Sequence, residues 1–295
     1  MLRWRLLFGT IFVAALVGLV ALDHQLSPAG IVLFPLAVLI TPLAAAEMLR
    51  LTSVRDQRPR GGVVYLGTLL IVIASGIPHL WPAYPADCPL GRLGWPLAAF
   101  VVAVLLALVA QLASYRESQG IAVNLGLTML CLVVAGLLLS FLVQLRFVGG
   151  DVWQTVPLIS LLVIVKMSDT GAYTIGRLAG RHKLAPRISP GKTVEGLCGG
   201  FVFACAGAWL VFAVLVPRMV QVSGGGPSVF RWLVYAVVLT VAGVAGDLSI
   251  SILKRDSGYK DSSTWLRGLG GLLDMIDSLL VAAPVAWLMW VLVLK

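Results

Sequence analysis

Roughly nine stretches of this chain are long, apolar and almost free of charge, and they limit its fold more than any other feature. They lie near Leu6–Leu22, Ile31–Met48, Val63–Trp81, Leu93–Ala113, Ile121–Leu145, Val152–Met167, Leu197–Val216, Phe230–Leu253 and Leu272–Leu294. A helix that crosses a bilayer needs about 20 mostly apolar residues. Lipid offers the backbone no hydrogen-bonding partners, so a spanning segment is either a helix or part of a closed barrel. The runs lack the apolar-polar alternation of barrel strands, which leaves helices. Composition agrees, with 59% hydrophobic and 12% charged residues, against about 45–50% and about 25% in soluble chains. The expected fold is all-α, a polytopic membrane bundle of roughly nine transmembrane helices. The second and sixth runs are short, and Pro35 and Pro42 are expected to kink the second or make it re-entrant.

The net charge of +9 would suggest nucleic acid in a soluble protein. In a membrane protein the placement of each charge matters more, and no nucleic-acid partner is expected. With the N-terminus in the cytoplasm, alternation of nine spans puts Arg3, Arg5, Arg50, Arg55, Arg58, Arg60 and Arg116 inside. The clusters Arg177–Lys192 and Lys254–Arg267 fall inside as well. Outside are Arg92, Arg146, Arg218, Arg231 and Lys295. The bias is positive-inside, so the count of spans and the charges support each other. The first run reads as a signal anchor, because no small-residue cleavage site follows it. Cys131, Cys198 and Cys205 lie within spans and Cys88 lies alone in an outer loop; with no CxxC pair, they read as core thiols without a disulfide framework.

Polar residues divide the chain. Residues 1–150 are apolar helices with short turns, and the Arg50–Arg60 turn reads as topological. Residues 151–295 hold the polar motif loops, in two clusters. The first contains Ser168-Asp169-Thr170-Gly171-Ala172-Tyr173, Gly176-Arg177, and the stretch from Arg181 through His182, Ser189, Lys192 and Thr193 to Glu195 and Gly196. Cations interleaved with hydroxyls and glycines are the parts that hold a polyphosphate. Gly191-Lys192-Thr193 resembles the end of a P-loop, but Pro186 stands where that motif needs glycine. A positive-inside loop without a ligand explains the arginines singly. It does not explain Asp169, Ser189 and Glu195. His182 has no second histidine near it and reads as solvated or phosphate-facing, not as a zinc ligand.

The second cluster starts inside the eighth run. Asp247, Ser251, Lys254 and Arg255 form one polar stripe at helical spacing. Lys260-Asp261, Gly270-Gly271, and Asp274 and Asp277 at i, i+3 follow. A carboxylate at the centre of a bilayer helix costs about 2.5–3.5 kcal/mol. Salt bridges to Lys166, Lys254 or Arg255 would explain such residues structurally. Three carboxylates, Asp247, Asp274 and Asp277, are better explained by a hard cation such as Mg²⁺, which takes oxygen ligands and substrate phosphates. A transporter is the rival from another class, because intramembrane charges also mark ion paths. Transporters usually carry polar breaks in both halves, whereas here the polar residues gather at one end of the sequence.

These residues resemble a known family. Ser251-x-x-Lys254-Arg255-x₄-Lys260-Asp261-x-Ser263-x-x-Leu266, then Gly270-Gly271-x-x-Asp274-x-x-Asp277, is similar to the signature of phosphatidate cytidylyltransferases, the CDP-diacylglycerol synthases. The block Ser168–Tyr173, the block Pro186–Gly196 and the Gly246-Asp247 pair look like that family too. The resemblance covers Ser168 to Asp277 with motifs, and residues 1–150 only as a hydrophobic bundle. It implies transfer of a cytidylyl group from CTP to phosphatidic acid in phospholipid biosynthesis, with Mg²⁺ as cofactor and membrane lipids around it. It implies metal ligation by Asp247, Asp274 and Asp277, and triphosphate or lipid-phosphate contacts from Lys254, Arg255 and Lys260, with Asp261 in the same motif. It implies a CTP pocket from Ser189, Lys192 and Thr193, with Asp169 and Arg177 beside it. The chain departs at three positions: Arg267 stands for proline, Leu269 for histidine and Met275 for arginine. A diverged paralogue with another lipid phosphate or polyprenol acceptor is the reading those departures suggest. The bacterial inner membrane is the expected location, with N-terminus and motif loops cytoplasmic. A homodimer is carried as an expectation that no motif specifies.

Overall fold

The computed structural model describes residues 16–26, 30–54, 57–81, 83–85, 87–113, 120–153, 155–219, 227–263 and 270–294. Eight described helices are long and apolar enough to cross a membrane. They are α1 (Leu33–Thr52), α2 (Gly61–Leu80), α3 (Gly91–Ala113), α4 (Ile121–Val148), α5 (Val156–Ala179), α6 (Val194–Met219), α7 (Val229–Asp256) and α8 (Leu272–Leu294). The bundle is all-α, as its apolar runs require. The first predicted run falls largely outside the described residues; its positions 16–22 are helical, and the helix goes on to 25. A single antiparallel hairpin, β1 (Lys183–Ala185) and β2 (Ser189–Thr193), links α5 to α6.

Two helices differ from their sequence expectation. α1 runs unbroken for 20 residues, with Pro35 in its first turn and Pro42 inside. The proline at 35 falls where N–H groups lack helical partners anyway, so it does not break the helix. α5 continues past Met167 to Ala179, so the Ser168–Tyr173 block is helical and not a loop. No proline interrupts it before Gly180, which ends it in an extended conformation.

The described residues form two compact units. The loop unit comprises Leu26–Gln144 and Leu253–Ile276. Its core gathers Ile71, Ala74, Ala99, Ala103 and Leu132, flanked by Trp95, Phe100 and Met129. Small residues let these helices close. A Cβ at Gly67 would stand 2.9 Å from that of Ala103, and one at Gly136 would stand 3.2 Å from the Thr68 backbone. Hydroxyls in the helices bond to their own preceding turns, as Thr41 does to Ala37 O (2.7 Å), Thr52 to Met48 O (2.8 Å) and Thr68 to Val64 O (2.7 Å). That satisfies each donor where lipid cannot.

The hairpin unit comprises the described residues of Met1–Gln25, Leu145–Ile252 and Asp277–Lys295. Its centre is the packing of α5 on α6 through glycine. A Cβ at Gly199 would lie 2.5 Å from Ile175, one at Gly171 2.6 Å from Phe203, and one at Gly196 2.7 Å from the Ala172 carbonyl oxygen. Without a hydrophobic drive between helices in lipid, such close approach supplies the dispersion contact that holds them. Deeper in, Tyr235 is fully buried, its hydroxyl 3.1 Å from Ser160 Oγ and accepting from Trp290 Nε1 at 3.2 Å. Phe212 stacks on Trp232 with ring centroids 5.5 Å apart. Arg146, counted from sequence only as an outer charge, is buried and forms a 2.6 Å ion pair with the fully buried Asp23.

Overpacking a tight helix contact costs about 1–3 kcal/mol. Gly199→Ala should therefore lower the thermal midpoint of the detergent-solubilised protein. Gly126→Ala, where nothing lies within 4 Å of the added carbon, should leave it unchanged or raise it. Equal midpoints for both variants would refute the glycine packing.

Candidate active site

In the hairpin unit, the polar residues of α5, α7 and α8 converge. Gly246 lacks the side chain that would otherwise meet the Asp277 carbonyl oxygen at 2.5 Å and Val281 at 3.0 Å. This lets α7 approach the backbone of α8, and the next residue, Asp247, becomes a charged neighbour of Asp277. Asp169 and Lys166 of α5 are the other charged neighbours of Asp277. Lys166 Nζ donates to Asp169 Oδ2 at 3.1 Å and to Ser278 Oγ at 3.2 Å, and Ser278 Oγ reaches the same Asp169 oxygen at 3.1 Å. Lys192, from β2, pairs with Asp247 Oδ2 at 2.8 Å, while Ser251 donates to Asp247 Oδ1 at 3.3 Å. The Asp247–Ser251 stripe read from spacing is thus a hydrogen-bonded pair.

Asp277 is the exception among these carboxylates. It is 6% exposed, its Oδ1 accepts from the Ser278 N–H at 2.6 Å, and it forms no salt bridge with any described residue. A buried carboxylate without a cation is costly unless a charge is supplied. Asp169, Asp247 and Asp277 offer hard oxygen donors of the kind Mg²⁺ takes, so the residues fit a hard divalent cation. As they stand, no three His, Cys, Asp or Glu side chains among the described residues form a ready-made metal cage.

The hairpin presents the predicted phosphate-binding residues. Ser189, Lys192 and Thr193 all lie on β2. Thr193 is also the N-cap of α6, its Oγ1 accepting the Gly196 N–H at 3.1 Å. The Gly-Lys-Thr sequence is therefore the end of a hairpin strand and not a P-loop. Glu195 fastens the segment that leads into β1. Its carboxylate accepts the backbone N–H groups of Arg181 (3.0 Å) and His182 (3.2 Å) and meets His182 Nδ1 at 2.5 Å. The His182 side chain is itself largely exposed. Arg177 is exposed on the last turns of α5, with Nη1 donating to the Tyr173 hydroxyl at 3.1 Å.

In the loop unit, Lys254 and Asp274 form a 2.6 Å ion pair, both side chains nearly buried. The other Asp274 oxygen, Oδ2, accepts from Ser262 N (2.8 Å), Ser262 Oγ (2.9 Å) and Gly271 N (2.9 Å). Asp274 is therefore held by Lys254, by two backbone N–H groups and by a Ser262 hydroxyl whose one proton lies between it and Glu47, unlike Asp277 three residues along the same helix. Arg255, Lys260 and Asp261 are exposed around the end of α7. Arg267 and Leu269 lie outside the described residues. Met275 is half-buried in α8.

Glu47 was not singled out in the sequence, because it sits in an apolar run far from any motif. Its carboxylate accepts the N–H groups of Leu272 (2.9 Å) and Leu273 (2.8 Å) and the Ser262 hydroxyl (2.9 Å). Nearby, the Arg50 guanidinium lies over the Tyr259 ring, 4.6 Å from its centroid. The only sequence signal for Glu47 was the cost of a carboxylate in apolar sequence, the argument applied above to the aspartates.

Comparison with known proteins places this arrangement. The chain is 33% identical over 252 residues to a phosphatidate cytidylyltransferase of Pseudomonas aeruginosa, covering 85% of each chain. It is 30% identical over 253 residues to a phosphatidate cytidylyltransferase of Bacillus subtilis, covering 85% of this chain and 86% of that one. A phosphatidate cytidylyltransferase of Haemophilus influenzae is 39% identical over 127 residues, a stretch that spans 43% of either chain. The model of the cytidylyltransferase family matches residues 3–293. The matched segment takes in the apolar helices of the first half as well as the carboxylates, hairpin and signature turn of the second, and the chain belongs to the cytidylyltransferase family.

Proposed function

We propose that the chain makes CDP-diacylglycerol from CTP and phosphatidic acid. The observation that carries this is the gathering of Asp169, Asp247 and Asp277 with Lys166 and Lys192 in the hairpin unit, next to a strand that carries Ser189 and Thr193. In the reaction a phosphate oxygen of phosphatidic acid bonds to the α-phosphorus of CTP. The bond from that phosphorus to the bridging α–β oxygen breaks, and the electron pair leaves with pyrophosphate. The attacking oxygen is already anionic at neutral pH, so no strong base is needed. The barrier lies in bringing two polyanions together and stabilising the charge of the departing group, which positioned cations do.

The chain's own residues divide this work. Lys192, on β2, reaches Asp247 now and would turn to the triphosphate when CTP enters. Ser189 and Thr193 offer hydroxyls along the same strand, with Asp169 and Arg177 beside them. Asp247 and Asp277 would hold Mg²⁺, which when bound neutralises phosphate charge and polarises the phosphoryl oxygens. Lys254, Arg255 and Lys260 bring positive charge from the end of α7, with Asp261 next to them, toward triphosphate or lipid phosphate. Asp274 can ligate metal only if Lys254 leaves it, so its role in the resting arrangement is to orient that lysine. The positive-inside pattern supports a bacterial inner membrane with the hairpin and signature turn in the cytoplasm, where CTP is available.

Membranes that lack the endogenous activity should, with this chain, move label from the α-phosphate of CTP into a CDP-lipid. Asp277→Asn should lower the rate at least about 100-fold, as loss of a group that stabilises transition-state charge does. Chelation of Mg²⁺ should abolish the activity, and added Mg²⁺ should restore it. Wild-type activity in Asp277→Asn would sink the assignment, and release of CDP with a phosphorylated lipid would identify a kinase instead. Glu195→Ala frees Arg181 and His182 at the entry to the hairpin. It should raise KM for CTP more than it lowers kcat, and speed tryptic cleavage between Arg181 and Lys192 by roughly fivefold. The orientation is tested at Cys88, which is partly exposed in the turn between α2 and α3. A membrane-impermeant maleimide should label it from the periplasmic side alone.

A further inference from the structure

In the first turn of α8, Asp274 reaches back to the Gly271 N–H, but no local side chain serves the Leu272 and Leu273 N–H groups. The residue before the helix is Gly271, and Gly270 ahead of it has φ +83°, so neither can bring a side chain to the free N–H groups. The helix start would leave its first N–H groups without partners. Glu47, 225 residues upstream of Leu272, supplies them: one oxygen takes the Leu272 N–H, and the other takes the Leu273 N–H and the Ser262 hydroxyl. A negative group at a helix N-terminus is also favoured by the helix dipole.

The glycine is shaped to this carboxylate. A Cβ at Gly271 would lie 2.5 Å from both Glu47 oxygens. A side chain there would crowd both the Ser262 hydroxyl and the Glu47 carboxylate, which gives the second glycine of the Gly270-Gly271 pair a physical reason. Ser262 is fully buried and its hydroxyl stands 2.9 Å from both Glu47 Oε2 and Asp274 Oδ2. Asp274 in turn holds Lys254 at 2.6 Å. Glu47, Ser262, Asp274 and Lys254 thus form one continuous hydrogen-bonded chain from α1 to the end of α7. Stability alone could be served by a local Ser or Asp cap, at no need for a carboxylate on a membrane helix.

We infer that Glu47 is a positioning residue for cytidylyl transfer: it sets the first turn of α8 and, through Ser262 and Asp274, the place of the Lys254 ammonium. Glu47 touches no reacting atom. It acts on the rate by fixing a cation whose displacement is costly, since misplacement by about 1 Å can cost on the order of 100-fold. The activity part of this inference rests on the cytidylyltransferase reading, and the capping part does not.

The test uses the full-length protein in detergent and in vesicles, with Glu47→Gln, Gly271→Ala and the double variant. Three readouts are taken: kcat and KM for CTP, amide exchange of the peptide over 270–276, and the thermal midpoint. Each single variant should lower kcat about tenfold or more with KM for CTP within about threefold. Exchange should rise in the 270–276 peptide and not in α5 or α6. The double variant should be no worse than the worse single one, because both remove the same contact. Unchanged kcat, additive losses, or a fall in kcat that merely follows the loss of folded protein would overturn the positioning role. Unchanged exchange over 270–276 would overturn the cap itself. If the wild type makes no CDP-lipid, the proposed function fails, and the exchange data still decide for or against the cap.

Discussion

A carboxylate on an apolar helix must find its counter-charge or its donors inside the protein, and this requirement organises the structure. Asp23 finds Arg146, and Asp247 finds Lys192. Asp274 finds Lys254, two backbone N–H groups and the Ser262 hydroxyl it shares with Glu47. Glu47 finds the free end of a helix. Asp277 is buried with the Ser278 N–H as its hydrogen-bond donor and no ion pair among the described residues.

The architecture was legible from the sequence because the bilayer enforces it. Unbroken apolar runs of spanning length can be little else than helices, and eight of the nine appear as such among the described residues. Boundaries were less legible where polarity and helicity part company. The Ser168–Tyr173 block looks like a loop by composition, yet α5 carries it to Ala179 because nothing in it breaks a helix. Pro35 and Pro42 suggested a kinked or re-entrant second run, and α1 carries both within one 20-residue helix.

Site residues were legible in type more than in partnership. Spacing on one helix foresaw that Asp247 and Ser251 would meet. It could not foresee that Asp274 and Asp277, one turn apart, would have opposite surroundings. That difference comes from residues distant in sequence: Lys254 and Ser262 around one, Gly246 backed against the other. Glu47 escaped notice for the same reason. Its partners are backbone N–H groups, which carry no sequence signal, and the glycine that admits it looks from sequence like ordinary turn chemistry.

The pairing of Lys192 with Asp247 has a consequence for the order of events at this site. The lysine that suits a triphosphate and the carboxylate that suits a divalent cation neutralise each other in the resting protein. A nucleotide that takes the lysine exposes the carboxylate, and a cation that takes the carboxylate exposes the lysine. Either arrival alone would leave one partner of the pair without its counter-charge, whereas both together would give each a new one. Under the proposed function, nucleotide and metal would then be linked thermodynamically, each raising the affinity for the other by the same factor, with the resting ion pair as the interlock between them.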